Sequence, residues 1–304
     1  MPAASLRRVL AAVLLPAALL AACADPTDEN RTAERQYLAI GDSYSAGFRP
    51  AIDGEEQTNT TDGFAWRVAE RTGLSLVNVS CSGITSVDFV SGDPCDEELR
   101  APEADSLAPV KGSELAVALD HLDRHAQDVE LVTVVLGVND LRPCELDARW
   151  RRCVTRIMPR VTAALDHLLA ELRSRLGPDV PIVGLTYPDV WLGAPVLRPE
   201  SPQALVTARS SVAMFRTVVN PALRATYEAH GARFVDVTRA FGAYLPADRT
   251  AESATFGTVA ARAARICDET YYCAIGDPHP TPDGHRAIGD LVVESLRGTL
   301  TRRG

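Results

Sequence analysis

The run Val129-Glu-Leu-Val-Thr-Val-Val-Leu136 limits the fold more than any other stretch of this 304-residue chain. It is rich in β-branched residues and apolar at nearly every position, not at every second one. A strand written this way is buried on both sides, as in a parallel sheet covered by helices. Four more short apolar runs read as strands: Tyr37–Ile40, Leu74–Val79, Val180–Tyr187 and Ala232–Val237. Segments with helical spacing lie between them. Gly63–Thr72 carries Phe64, Trp66, Val68 and Ala69, and Ser113 opens a helix bearing Leu115, Ala118, Leu119, Leu122 and Ala126. Arg156–Leu176 is amphipathic and closes at Gly177-Pro178, and Pro202–His230 is largely helical, with Pro221 expected to kink or split it. Ser91–Pro109 reads as an acidic loop holding Cys95, Arg239–Cys273 as an irregular insertion, and the last helix starts after Pro282. Strand–helix alternation without internal repeats predicts an α/β fold, a three-layer sandwich around a five-stranded parallel sheet in one domain.

The first residues read as a targeting segment. Arg7 and Arg8 precede the apolar run Val9–Leu20, which is short for a membrane span and contains Pro16. The run ends in Leu20-Ala21-Ala22-Cys23, which resembles a bacterial lipobox. That likeness makes 1–22 a lipoprotein signal peptide, Cys23 a lipidated N-terminus, 23–35 an anchor and polar tether, and 36–304 the folded domain. Ordinary cleavage near Ala22 or Ala24, giving a secreted protein, is the alternative. Beyond Cys23 remain Cys81, Cys95, Cys144, Cys153, Cys267 and Cys273. An even set in an exported chain reads as disulfides, and local spacing favours 81–95, 144–153 and 267–273. No Cys-x-x-Cys pair occurs, so no metal site is expected. The formal charge of −9, without any basic block, argues against a nucleic acid partner.

Four motifs occur in order: Gly41-Asp42-Ser43, Gly83, Gly137-Val138-Asn139-Asp140 and Asp277-Pro278-His279-Pro280. Three follow an expected strand directly, so Ser43 stands at a carboxyl edge, where open α/β sheets collect their ligands. Singly, each is ordinary turn chemistry. Together, over residues 36–295, their order and spacing resemble the SGNH (GDSL-type) hydrolase superfamily. The exported, disulfide-bonded form looks like its actinobacterial lipase and esterase branch.

The resemblance implies a flavodoxin-like sheet and hydrolysis of a carboxylic ester through an acyl-enzyme on Ser43, without a metal or organic cofactor. It assigns the base to His279, and the oxyanion hole to the backbone N–H groups of Ser43 and Gly83 with the Asn139 amide. His285 is the rival base, although its family counterpart packs at a helix start. His121, His125, His167 and His230 fall within helical patterns and read as surface or core-edge positions. The family's acid stands three residues before the histidine, where this chain has Gly276. Either Asp277 takes that part, or a backbone carbonyl near Ile275 or Gly276 accepts the imidazole N–H. Asp42 and Asp140 are expected to bond the backbone and brace their loops. Tyr187–Leu192 is apolar enough to line an acyl pocket, and Arg239–Ile266, with Phe241, Tyr244, Leu245 and Phe256, is expected to cover it. The expected substrate is a small-molecule or lipid-like ester, met by a monomer held to the outer face of the cell membrane or secreted. A glycan O-acetyl esterase and a non-enzymatic surface binding lipoprotein are the alternatives.

Overall fold

Strands β1 (Gln36–Gly41), β2 (Ser75–Ser80), β3 (Val129–Val135), β4 (Ile182–Leu185) and β5 (Arg233–Val235) run parallel in the order β2-β1-β3-β4-β5. The expected five-stranded, flavodoxin-like α/β sheet is thus present. β4 is shorter than its apolar run because Pro181, lacking an N–H, cannot join the ladder as a donor. This computed structural model describes residues 34–102, 107, 112–144 and 149–298. The expected signal peptide, Cys23, residues 24–33 of the tether and part of the acidic loop lie outside the described residues. Glu34 and Arg35, expected to end the tether, already belong to the folded unit: Arg35 pairs with Glu130 at the edge of the sheet (Nε to Oε1, 2.7 Å).

Helix α1 (Ser43–Ala46) follows β1 at once, and α2 (Phe64–Thr72) precedes β2. α3 (Ser86–Ser91) and α4 (Glu114–His125) lead to β3, and α5 (Trp150–Leu176) connects it to β4. α6 (Pro202–Met214) and α7 (Asn220–Ala229) precede β5, and α8 (Ala261–Glu269) and α9 (Pro282–Ser295) follow it. The alternation of side chains along each strand feeds two cores. Leu38, Ile40, Val132 and Val134 face α4, α5 and α7, whereas Tyr37, Ala39, Leu131 and Val135 face α2 and α9. The Tyr37 hydroxyl is satisfied inside by Thr133 Oγ1 at 2.6 Å.

Three details depart from the sequence pattern. α5 begins at Trp150, six residues before the expected Arg156, because Trp150 and Val154 are buried and a disulfide holds Cys153 to Cys144. Pro221 sits at the second position of α7, where its missing N–H costs nothing, and the break before it is a π turn, Phe215–Val219. The segment from Arg239 to Cys273 is not irregular. It forms an antiparallel hairpin, Thr250–Ser253 with Gly257–Ala260, followed by α8. Its turn is built by Asp268, which accepts from Ser253 Oγ (2.6 Å) and the Ala254 N–H (3.0 Å), a contact from fourteen residues away that local pattern does not reveal. The expected bridges Cys81–Cys95, Cys144–Cys153 and Cys267–Cys273 all form.

Candidate active site

The sheet order reverses between β1 and β3, which opens a crevice at their carboxyl ends. Gly41 closes β1 against β3: a Cβ there would lie 2.7 Å from Val135 Cγ1 and 2.9 Å from Val135 O. Asp42 then caps α1, its Oδ1 accepting the Tyr44 N–H at 3.0 Å, and Ser43 becomes the first helical residue. The backbone N–H groups of Ser43 and Gly83 have no acceptor among the described residues.

Ser43 Oγ lies 2.9 Å from His279 Nε2, and His279 Nδ1 lies 2.8 Å from Asp277 Oδ1. The same carboxylate oxygen accepts the His279 backbone N–H at 2.9 Å. Asp277, and not a carbonyl of Ile275 or Gly276, is therefore the partner of Nδ1. The two-residue spacing works because an aspartate readily bonds the backbone two positions on. Partial burial raises the Asp277 carboxyl, but the bond to His279, its charge and its backbone N–H outweigh this and hold it below the usual range. An ionised, acceptor-only Asp277 fixes the proton on Nδ1 and leaves Nε2 to accept from Ser43. The histidine segment is also tied down from outside: the Tyr44 hydroxyl donates to Pro278 O at 2.6 Å, and the Phe48 ring centre is 4.4 Å from that of His279.

Across the crevice, the Asn139 amide donates to Ile84 O at 2.9 Å and lies 3.5 Å from Asp42 Oδ2. Gly83 has φ +85°, and a Cβ there would meet only Arg142 at 3.9 Å. Glycine is required there by the left-handed backbone, not by close approach. Asp42 and Asp140 brace loops as expected. The Tyr187 hydroxyl donates to Asp42 Oδ2 at 2.6 Å, while Asp140 accepts from the Ser86 N–H (2.8 Å) and hydroxyl (2.9 Å). Complete burial lifts the Asp42 carboxyl to about 6 even so.

Beside Ser43 opens a cavity of about 750 Å³. Val138, Leu141, Val190, Trp191 and Met214 make it apolar, with Tyr187, Gln203, Thr207, Tyr272 and Arg142 around them. Residues 39–287 match the GDSL-like lipase/acylhydrolase family. The chain belongs to that family. The chain is 26% identical over 254 residues to Lipase 2 of Streptomyces coelicolor, covering 78% of this chain and 82% of that protein. Among solved structures it resembles an extracellular lipase from Streptomyces rimosus (17% identity, 85% of this chain, 98% of that one, TM-score 0.49). It also resembles a family two carbohydrate esterase from Clostridium thermocellum (18% identity, 88% of this chain, 65% of that one, TM-score 0.46). This GDSL-like acylhydrolase is accordingly a carboxylic ester hydrolase.

The remaining expectations for the GDSL-like site divide. Tyr187, Val190 and Trp191 of the Tyr187–Leu192 segment do line the cavity. The Arg239–Ile266 cover does not: Phe241 is buried in the core beneath α8, Leu245 is exposed, and none of that segment lines the cavity. The apolar side chains there serve the hairpin's own packing, and Tyr272 is the contribution from this part of the chain. His285 is 3% exposed, and its Nδ1 accepts the Phe64 N–H at 3.3 Å. Burial, helped by the charge of His279, pushes its pKa down to about 3, so it stays neutral in the α2–α9 packing. His121 bonds Gln36 Oε1 at 2.8 Å and His230 pairs with Asp166 at 2.8 Å, both away from the cavity. Sequence reasoning missed Tyr44 and Tyr187 as braces and Met214, Gln203 and Thr207 as lining. Only the third dimension brings α6 to Ser43. Among the described residues no group of three His, Cys, Asp or Glu side chains is placed to hold a metal ion.

Proposed function

We propose that the protein cleaves esters with an apolar acyl group through an acyl-enzyme on Ser43. The observation that carries this reading is the hydrogen-bonded line Ser43–His279–Asp277 beside an apolar cavity. His279 takes the Ser43 proton as the hydroxyl attacks the ester carbonyl, and Asp277 stabilises the imidazolium that forms. The free N–H groups of Ser43 and Gly83 stabilise the tetrahedral oxyanion, and the Asn139 amide becomes the third donor by turning its second N–H from the long 3.5 Å contact with Asp42 Oδ2. His279 then protonates the leaving alcohol, and a water deacylates Ser43 by the same route.

Three disulfides support an oxidising, extracytoplasmic compartment, and the Leu20–Cys23 signature supports lipid anchorage at Cys23 after loss of residues 1–22. The test is hydrolysis of p-nitrophenyl esters from acetate to palmitate by wild type and Ser43→Ala. We expect the optimum above acetate and a loss of roughly 10⁶-fold in the variant. Activity confined to acetate would replace the lipid-like substrate by a glycan O-acetyl ester. Undiminished activity in Ser43→Ala would end the mechanism.

A further inference from the structure

The overall charge of −9 conceals a local excess of the opposite sign. Arg151, Arg152, Arg156 and Arg160 fall within the opening of α5, and no acidic residue occurs from Trp150 to Leu165. A scan for basic blocks passes over them, because residues four apart become neighbours only once the helix forms. Arg152, Arg156 and Arg160 then stand in one exposed row, about 12 Å long at the helical rise. Like charges at this spacing repel, so the row is a cost to the helix that its own fold does not recover.

Other helical arginines are paired: Arg67 with Glu70 and Asp290, Arg175 with Asp123 and Glu171, and Arg265 with Glu269. The guanidinium groups of Arg152, Arg156 and Arg160 have no hydrogen-bond or ion-pair partner among the described residues. On α3, which packs beside α5, Asp88 is engaged by the Thr85 hydroxyl at 2.7 Å. The row's position matters as much as its charge. α5 follows the carboxyl end of β3, so its first turns lie at the same edge of the sheet as Ser43. Cys153, next to Arg152, is bridged to Cys144, which lines the cavity together with the exposed Arg142.

We propose that this arginine row docks the enzyme on an anionic lipid surface, its guanidinium groups on headgroup phosphates while the adjoining cavity takes the ester. The inference rests on reading that cavity as the site for esters with apolar chains. Charge complementarity selects phosphate, and the apolar cavity at the end of the row selects a lipid over a nucleic acid. A phospholipid surface offers both chemistries in one partner.

The test is sedimentation of the full chain with vesicles of phosphatidylcholine alone or mixed with phosphatidylglycerol. Wild type is compared with the triple variant Arg152→Gln, Arg156→Gln, Arg160→Gln, since glutamine keeps helix propensity. We expect wild type to prefer the mixed vesicles, with a preference that weakens as salt rises. The triple variant is expected to lose roughly 10²-fold in partitioning on mixed vesicles while hydrolysing soluble p-nitrophenyl butyrate at the wild-type rate. An anchor at Cys23 adds equally to both vesicle types, so the ratio between them isolates the row. Equal wild-type binding to the two vesicle types, or wild-type partitioning by the triple variant, would overturn the proposal. Binding to duplex DNA as tight as to mixed vesicles at equal phosphate and salt would also overturn it. Partitioning needs no turnover, so this result and the ester assay fail independently.

Discussion

Asp277→Asn separates the two jobs of that side chain. Asp277 Oδ1 accepts two N–H groups of His279, at 2.8 and 2.9 Å, and the carbonyl oxygen of an asparagine can accept both. The orientation of the ring therefore survives, and what disappears is the negative charge beside the imidazolium formed when Ser43 loses its proton. Two unit charges about 4 Å apart interact by about 4 kcal/mol at an effective dielectric of 20. The Asp277 side chain is 24% exposed and the cleft is open, so solvent screening removes part of this. A loss of about 2–3 kcal/mol in the transition state remains, or roughly 10²-fold in kcat. Asp277→Ala removes orientation as well and should cost roughly 10³–10⁴-fold. The assay is steady-state hydrolysis of p-nitrophenyl butyrate, with thermal melts to show that both variants fold. KM should change little, because Asp277 does not line the cavity. Asp277→Asn within about threefold of wild type would refute the charge argument, and Asp277→Ala within the same range would return the orienting role to a backbone carbonyl.

Tyr44→Phe deletes the 2.6 Å bond to Pro278 O that holds the histidine segment; we expect about 1–2 kcal/mol lower stability and a kcat reduced severalfold, read by melts and kinetics. Asp189 is fully buried, with Ser211 Oγ at 3.0 Å and its Oδ1 unpartnered, and burial raises its pKa from 3.8 to about 7. A carboxyl raised on folding contributes stability below the unfolded value that is lost as pH climbs from about 4 through 7, up to about 4 kcal/mol. Asp189→Asn should therefore gain on wild type in urea midpoint between pH 4.5 and pH 8, and a pH-independent gap would contradict this. Replacing Cys144 and Cys153 by serine opens a loop with a sequence separation of 9, which should cost about 2–3 kcal/mol. Because Cys144 lines the cavity, the same variant should raise KM for long acyl chains more than for acetate.

The sheet was legible because strands buried on both faces are nearly continuous apolar runs, and β1, β2 and β3 lead into the turns that hold Ser43, Gly83 and Asn139. The pairing of Ser43 with His279 was legible through motif order, whereas the family spacing points to Gly276 and left the partner of Nδ1 open: a single-residue change in spacing is absorbed by the turn that brings Asp277 to the ring. The bonds Tyr44–Pro278 and Tyr187–Asp42 were not legible, since they join residues 234 and 145 positions apart. The hairpin within 239–273 was hidden for the same reason, its turn being organised by Asp268. The expected cover failed on a different ground: Phe241 is apolar because it fills the core, and apolarity alone does not say which surface a side chain serves.

The tyrosine braces divide the cavity wall into two classes of position. Tyr187 grips Asp42, Asp42 caps the helix that carries Ser43, and Tyr44 of that helix grips the histidine segment. A change on this side reaches Ser43 and His279 through two or three hydrogen bonds. Gln203, Thr207 and Met214 stand on the other side, on α6, with no hydrogen bond to Ser43, His279 or Asp277. Natural drift and laboratory selection for new acyl groups therefore have Gln203 and Thr207 free to vary on that wall, whereas Met214 also belongs to the core. The other wall can change only in concert with the Ser43 helix and the His279 segment that it holds.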